Sequence, residues 1–290
     1  MRGNLTAADA DDKSDGFSLR LNTSRLITSR MNILRRLLLL LLLAVLAQGC
    51  AARRGEVFQY ATINSLLAGV FDGDLTIAEL KRHGDLGIGT FNGIDGELMA
   101  LDGRFYQIRS DGHVYPATDT MRTPFATVTH FEPTRTLVLT NVPSLHALEQ
   151  QLDALLPNKN AFQAFRIEAE VEQLKTRAVP RQQPPYPTLA DAAKKQNVFE
   201  LKKVTGTFVG FRTPDFMSGL NVPGYHLHFL TADRQAGGHV LDCIIRRAEV
   251  RIAETTQFLM KLPEAGAFQN TDIARDRAAE LQQVEKNGSR

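Results

Sequence analysis

The chain has 290 residues, 43% hydrophobic and 23% charged, which is ordinary globular composition with enough material for one large domain or two small ones. A net charge of +2 and the lack of a basic stripe interleaved with aromatics give no electrostatic case for nucleic acid. Trp is absent, and the two cysteines, Cys50 and Cys243, build no disulfide framework, so stability rests on the core.

Residues 1–30 are polar, without a periodic apolar face, and are expected to be disordered or an upstream extension. Met31 begins a different text: basic Arg35-Arg36, uninterrupted leucines from Leu37 to Leu43, then small residues up to Cys50. That is the pattern of a signal peptide over 31–50, too short for a spanning helix of about 20 apolar residues. Ala47-Gln48-Gly49-Cys50 is similar to a lipobox, which makes Cys50 a lipidation candidate, although Gln48 fits it poorly. The expectation is an exported protein, periplasmic or extracellular, with a lipid anchor if Cys50 is modified. It is cytoplasmic if the segment is not a working signal.

Apolar residues at helical spacing run from Phe58 to Phe71. Thr76-x-x-Glu79 is a capping box that opens a short helix stopping at Gly84. From there the text is Gly-rich and strand-like, with Asp-Gly pairs at Asp95-Gly96 and Asp102-Gly103 marking hairpins. Two strands are expected over 123–131 and 134–140, then an amphipathic helix over 144–156 with Leu145, Leu148, Leu152 and Leu155 inward. Residues 164–170 and 172–179 read as two strands, and 180–187 as a Pro-rich surface loop. A short helix over 191–196, a strand pair over 199–211, one or two strands over 249–262 and a polar closing helix over 274–286 complete the reading.

The fold class is therefore α+β: two similar β-rich, mixed-sheet halves, 56–160 and 161–268, with peripheral helices and a polar tail over 269–290. Gly89-Thr90-Phe91 is echoed by Gly206-Thr207-Phe208, and Gly112-His113-Val114 by Gly238-His239-Val240, in the same order, which suggests an internal duplication.

Three of the seven histidines fall between 226 and 239. On a strand, His226 and His228 share a face. A polar turn ending in Gly237-Gly238 then returns His239 to their side as a hairpin. Three neutral imidazoles with an open position make a catalytic rather than a structural metal site. Glu97 follows a glycine turn at a strand start, and Arg177 is of the type that grips a carboxylate. Spacing alone favours an exposed strand-edge carboxylate for Glu97, reads Arg177 equally well as an exposed arginine, and reads Glu254 and Gln257 as solvent-facing strand residues.

The text resembles the α-acetolactate decarboxylase family from Phe58 to the C-terminal region. The resemblance is carried by Gly89-Thr90-Phe91-Asn92 with Asp95-Gly96-Glu97, Phe105-Tyr106-Gln107, Thr123-Pro124-Phe125-Ala126 and Arg177-Ala178-Val179-Pro180. It continues through Asn221-Val222-Pro223-Gly224-Tyr225-His226-Leu227-His228-Phe229 and Gly237-Gly238-His239-Val240-Leu241-Asp242. It implies zinc on His226, His228 and His239, an acid/base role for Glu97, a catalytic Arg177 and a substrate-binding Thr90. The implied reaction is decarboxylation of 2-acetolactate to acetoin, with zinc on the hydroxyl and ketone oxygens and Glu97 donating the proton. The family's second glutamate aligns with Gln257, with Glu254 nearby but off register, so these two stand as second-shell candidates. A homodimer is the family and base-rate expectation. Two rivals keep the histidines: an exported cupin-like metal enzyme, which would want a Glu where this chain has Thr231 and Asp233, and a non-catalytic metal-binding protein.

Overall fold

The computed structural model of the chain describes residues 55–286, together with Arg30, Arg35 and Arg36. Cys50, the expected signal segment and the expected N-terminal extension lie outside the described residues. No helix among the described residues is long and apolar enough to cross a membrane.

The stretch expected to be helical from Phe58 opens instead as a strand, β1 (Glu56–Tyr60), and is helical only over α1 (Ile63–Leu67). Val57 to Tyr60 pair with a strand on each side, and this tertiary pairing overrides the helical spacing. Ala61 turns the chain at φ +61°, and the Thr62 side chain caps α1 by accepting from the Ser65 amide. After β2 (Leu75–Thr76), half of the expected capping box is present: the Thr76 side chain accepts from the Glu79 amide and opens α2 (Ile77–Leu80), while the Glu79 carboxylate accepts from Lys261.

The Gly-rich text folds as antiparallel hairpins, β3 (Leu86–Thr90), β4 (Glu97–Leu101) and β5 (Arg104–Ile108). Asp102 and Gly103, at φ +52° and +71°, make the two-residue turn whose twist matches its flanking strands. Three further short strands follow, β6 (Val114–Pro116), β7 (Arg122–Thr123) and β8 (Ala126–Thr129). A late strand, β14 (Gln257–Lys261), returns to pair in parallel with β1. The result is a seven-stranded sheet in the order β14-β1-β8-β3-β4-β5-β6.

The second sheet is antiparallel and is made from long strands. Its members are β9 (Arg135–Val142), β10 (Phe162–Ala178), β11 (Asn197–Thr213), β12 (Gly224–Thr231) and β13 (Gly237–Thr255). The two strands expected within 164–179 are one, and so is the pair expected within 199–211. The apparent break is a set of bulges: the β10–β13 register shifts around Glu170, Val171 and Gln173, and Lys203 sits at φ +53° opposite. Bulges bend a strand without ending it. The curvature lets β10 pair with both β11 and β13 while β12 bridges those two, so four strands close into a ring.

Phe165, Ile167, Phe208, Phe229 and Val250 form one core on this sheet with Leu148 and Leu152 of α3 (Leu145–Leu155), the expected amphipathic helix, which Ser144 caps. Leu155, expected inward, is exposed. The class is α+β and β-rich, as read from the sequence, but the sheets do not repeat one another's strand order. Nor does a boundary at 160 separate the sheets, because β9 belongs to the second and β14 to the first.

Two small helices complete the site. The Pro-rich loop leads into α4 (Leu189–Ala193), capped by Thr188 and placed two residues earlier than expected. The chain then closes with α5 (Ala278–Lys286). This last helix is not merely polar: Leu281 and Val284 pack into a core with Ile63, Leu66, Leu67, Leu189 and Ala192.

Candidate active site

The hairpin places its histidines as alternation requires. His228 lies directly across from His239 in the β12–β13 register, and His226 shares the His228 face two residues earlier. Their ring nitrogens lie within 4.8 Å of one another, and among the described residues this is the group suited to hold a metal. Burial holds all three imidazoles neutral. It pushes His226 down to about 3 and His228 and His239 well below the ordinary histidine value, with the Arg177 charge adding to each.

His228 Nδ1 lies 2.9 Å from the Leu98 carbonyl oxygen. A carbonyl only accepts, so Nδ1 carries the proton and Nε2 presents its lone pair. That Nε2 is buried and has no hydrogen-bond partner. A neutral imidazole oriented by a backbone acceptor, with its other nitrogen bare, is the form a metal ligand takes. His226 Nε2 and His239 Nδ1 are 3.1 Å apart. The residues present therefore fit a first-row divalent ion, zinc included.

Two carboxyl groups reach this cluster. Glu97 opens β4, and its Oε2 is 3.5 Å from His228 Nε2. Burial raises its carboxyl to about 7 against the Arg177 charge, and Glu285 raises it further. The second group is Glu285 of α5, whose Oε2 is 3.4 Å from His239 Nε2 and whose carboxyl is likewise raised by burial. Arg177, near the end of β10, is buried with Nη2 3.9 Å from Glu285 Oε1. It sits beside His239 because those two residues pair across β10 and β13.

Thr90 lines the same cavity, and its hydroxyl donates to the Gly96 carbonyl at 2.7 Å, tying down the turn that presents Glu97. Gly96 has φ +78°, and a Cβ there would come within 2.2 Å of the Ile108 carbonyl oxygen. The rest of the wall is apolar, from Ile63, Leu66, Ile94, Phe125, Val179 and Leu189. Such a cavity suits a small molecule with methyl groups, one anionic end and polar atoms toward the histidines.

The structure thus brings together His226, His228, His239, Glu97, Arg177 and Thr90. It does not bring Glu254 or Gln257 to them. Glu254 accepts from Gln163 at 3.1 Å and lines a separate cavity of about 200 Å³ with His130 and Glu132. Gln257 is exposed at the start of the sheet-edge strand β14. The second carboxyl group near the histidines is Glu285, within the stretch expected to be a polar helix and tail. The signal that marks it is Leu281 and Val284, spaced to share one face of α5 and adjacent to Glu285.

Residues 57–275 match the family described as alpha-acetolactate decarboxylase. A protein named alpha-acetolactate decarboxylase from Methanosarcina mazei is 49% identical over 230 residues, which cover 79% of this chain and 80% of that one. One of the same name from Methylococcus capsulatus is 48% identical over 79% of this chain and 88% of its own. The crystal structure of alpha-acetolactate decarboxylase from Bacillus subtilis strain 168 superposes with a TM-score of 0.78 at 38% identity, covering 80% of this chain and 99% of that one. With the fold, the match and the cavity in agreement, the chain belongs to the alpha-acetolactate decarboxylase family, a family of carboxy-lyases.

Proposed function

We propose that this chain converts 2-acetolactate to acetoin and carbon dioxide, using a first-row divalent ion such as zinc on His226, His228 and His239. The observation that carries the reading is the approach of two buried carboxyl groups and one guanidinium to a neutral three-imidazole cluster. When bound, the ion supplies Lewis acidity toward the hydroxyl and ketone oxygens of the substrate.

Arg177 takes the substrate carboxylate, the only charge the substrate carries, and holds it away from bulk water. Loss of carbon dioxide leaves an electron pair on the carbon that bore it, shared with the neighbouring ketone as an enediolate. Glu97, in its protonated form, delivers a proton to that carbon and is reprotonated from solvent. Glu285, in reach of both His239 and Arg177, places a second acid/base group beside the substrate oxygens. Val284 and Leu189 add apolar surface to the lining of the same cavity.

The test is acetoin formation from 2-acetolactate before chelation, after chelation and after zinc is restored. The expected result is loss on chelation and recovery with zinc. Full turnover by protein shown to be metal-free overturns the metal's role. No acetoin from metal-loaded protein overturns the reaction and leaves the cupin-like or non-catalytic readings.

A further inference from the structure

We propose that Gln196 is a positioning residue that aims Arg177 at the substrate carboxylate; this rests on the reading above, in which Arg177 receives that carboxylate. The guanidinium has five N–H bonds and is buried. Nη1 donates to Gln196 Oε1 at 3.0 Å. Nη2 is 3.9 Å from Glu285, beyond a direct hydrogen bond. Nε is buried with no hydrogen-bond partner. Gln196 thus occupies one corner of the fork and leaves the Nε–Nη2 edge, whose two N–H bonds run parallel, for an incoming anion. That edge is what a carboxylate binds in bidentate fashion.

Gln196 is itself held from both sides. Its amide donates to the Ala193 carbonyl at the end of α4 at 3.1 Å. The next residue, Asn197, reaches the Ser110 carbonyl at 2.6 Å and opens β11, whose register brings Val198 opposite Arg177. The Pro-rich loop and α4 therefore have a role beyond covering the surface: they carry the chain back to Arg177 with an acceptor. Gln196 is not among the residues lining the cavity, so it acts through Arg177. Without the acceptor, a buried Nη1 loses its partner and the guanidinium can close the gap to Glu285. An arginine paired with Glu285 is withdrawn from the substrate.

The experiment uses metal-loaded enzyme and two inhibitors: 2-hydroxy-2-methylpropanoate, which has a carboxylate, and acetoin, which has none. Gln196→Met keeps the length and removes the acceptor. It is expected to weaken the carboxylate inhibitor and raise KM for acetolactate by about tenfold each, the scale of one charge-assisted hydrogen bond, with kcat and acetoin inhibition near wild type. Gln196→Glu, which keeps an acceptor, is expected to recover most of the lost binding. Equal weakening of both inhibitors by Gln196→Met overturns the proposal, because a general packing defect does that. Arg177→Met is measured alongside. If Arg177→Met weakens the carboxylate inhibitor and Gln196→Met does not, Gln196 has no positioning role. If Arg177→Met leaves the carboxylate inhibitor unchanged, the carboxylate role of Arg177 itself fails.

Discussion

Glu97 and Glu285 come from different parts of the chain and touch different imidazoles of one cluster, His228 at 3.5 Å and His239 at 3.4 Å. Both carboxyl groups are raised by burial, and the charge of Glu285 raises Glu97 further. Two acids in one cavity, each beside a neutral imidazole and each raised above the ordinary carboxyl value, are suited to proton transfer.

Glu285 depends on α5, whose hold on the body of the protein runs through Leu281 and Val284. Glu285→Gln keeps the helix docked and removes the acid. Turnover of acetolactate is expected to fall by about 10²-fold, the low end for a proton-transfer group, with metal content unchanged. Acetoin formation and metal analysis on one sample check this, and a wild-type rate would leave Glu285 a structural neighbour only.

The metal-free protein should have an unusual dependence of stability on pH. The three buried histidines stay neutral in the fold, whereas in the unfolded chain they protonate near 6.5. Below pH 6.5 the unfolded state therefore binds more protons, and each histidine removes about 1.4 kcal/mol of stability per pH unit. Glu97 acts oppositely: its folded value is raised to about 7, so between about 4.5 and 7 the fold holds a proton that the unfolded chain has lost, and Glu285, also raised by burial, acts in the same direction above 4.5. The terms partly cancel from pH 6.5 to 4.5, and below 4.5 the histidines act unopposed by these acids. Thermal melts are expected to show a maximum near pH 6.5, a shallow decline and then a steep one. His226→Gln should flatten the acid limb, and an unchanged limb would contradict the account.

Gly96→Ala tests the turn that presents Glu97. The new Cβ would meet the Ile108 carbonyl at a φ that side chains rarely adopt. A loss of stability above about 1 kcal/mol is expected, together with a fall in kcat because Glu97 opens the next strand. Melting temperature and kcat measured together check this, and wild-type values for both would show that the turn tolerates a side chain.

Much of the site could be read from local pattern. Strand alternation placed His226 and His228 on one face, and the glycine turn brought His239 across to His228. Thr76 and the Asp102-Gly103 turn are local signals that held for the same reason, because each acts within a few residues. What could not be read was non-local. The joining of β14 to β1 and the closing of β10 onto β13 depend on partners far along the chain. Glu168, Glu170 and Glu172 alternate with buried residues on β10, and a bulge within them looked like a strand end. The position of Glu285 depends on where α5 docks, which two apolar side chains among many polar ones decide. Gln257 aligns with the family's second glutamate, with Glu254 nearby but off register, and the strand that carries Gln257 runs along the far edge of the other sheet from the histidines.

The most direct test of the central claim is the rate of acetoin formation by Glu97→Gln, with metal measured in the same preparation. Glutamine preserves the size of the side chain and removes the proton that Glu97 is proposed to deliver. The account predicts full metal content and a rate lower by about 10²–10⁴-fold. Full metal content with an unchanged rate would contradict it.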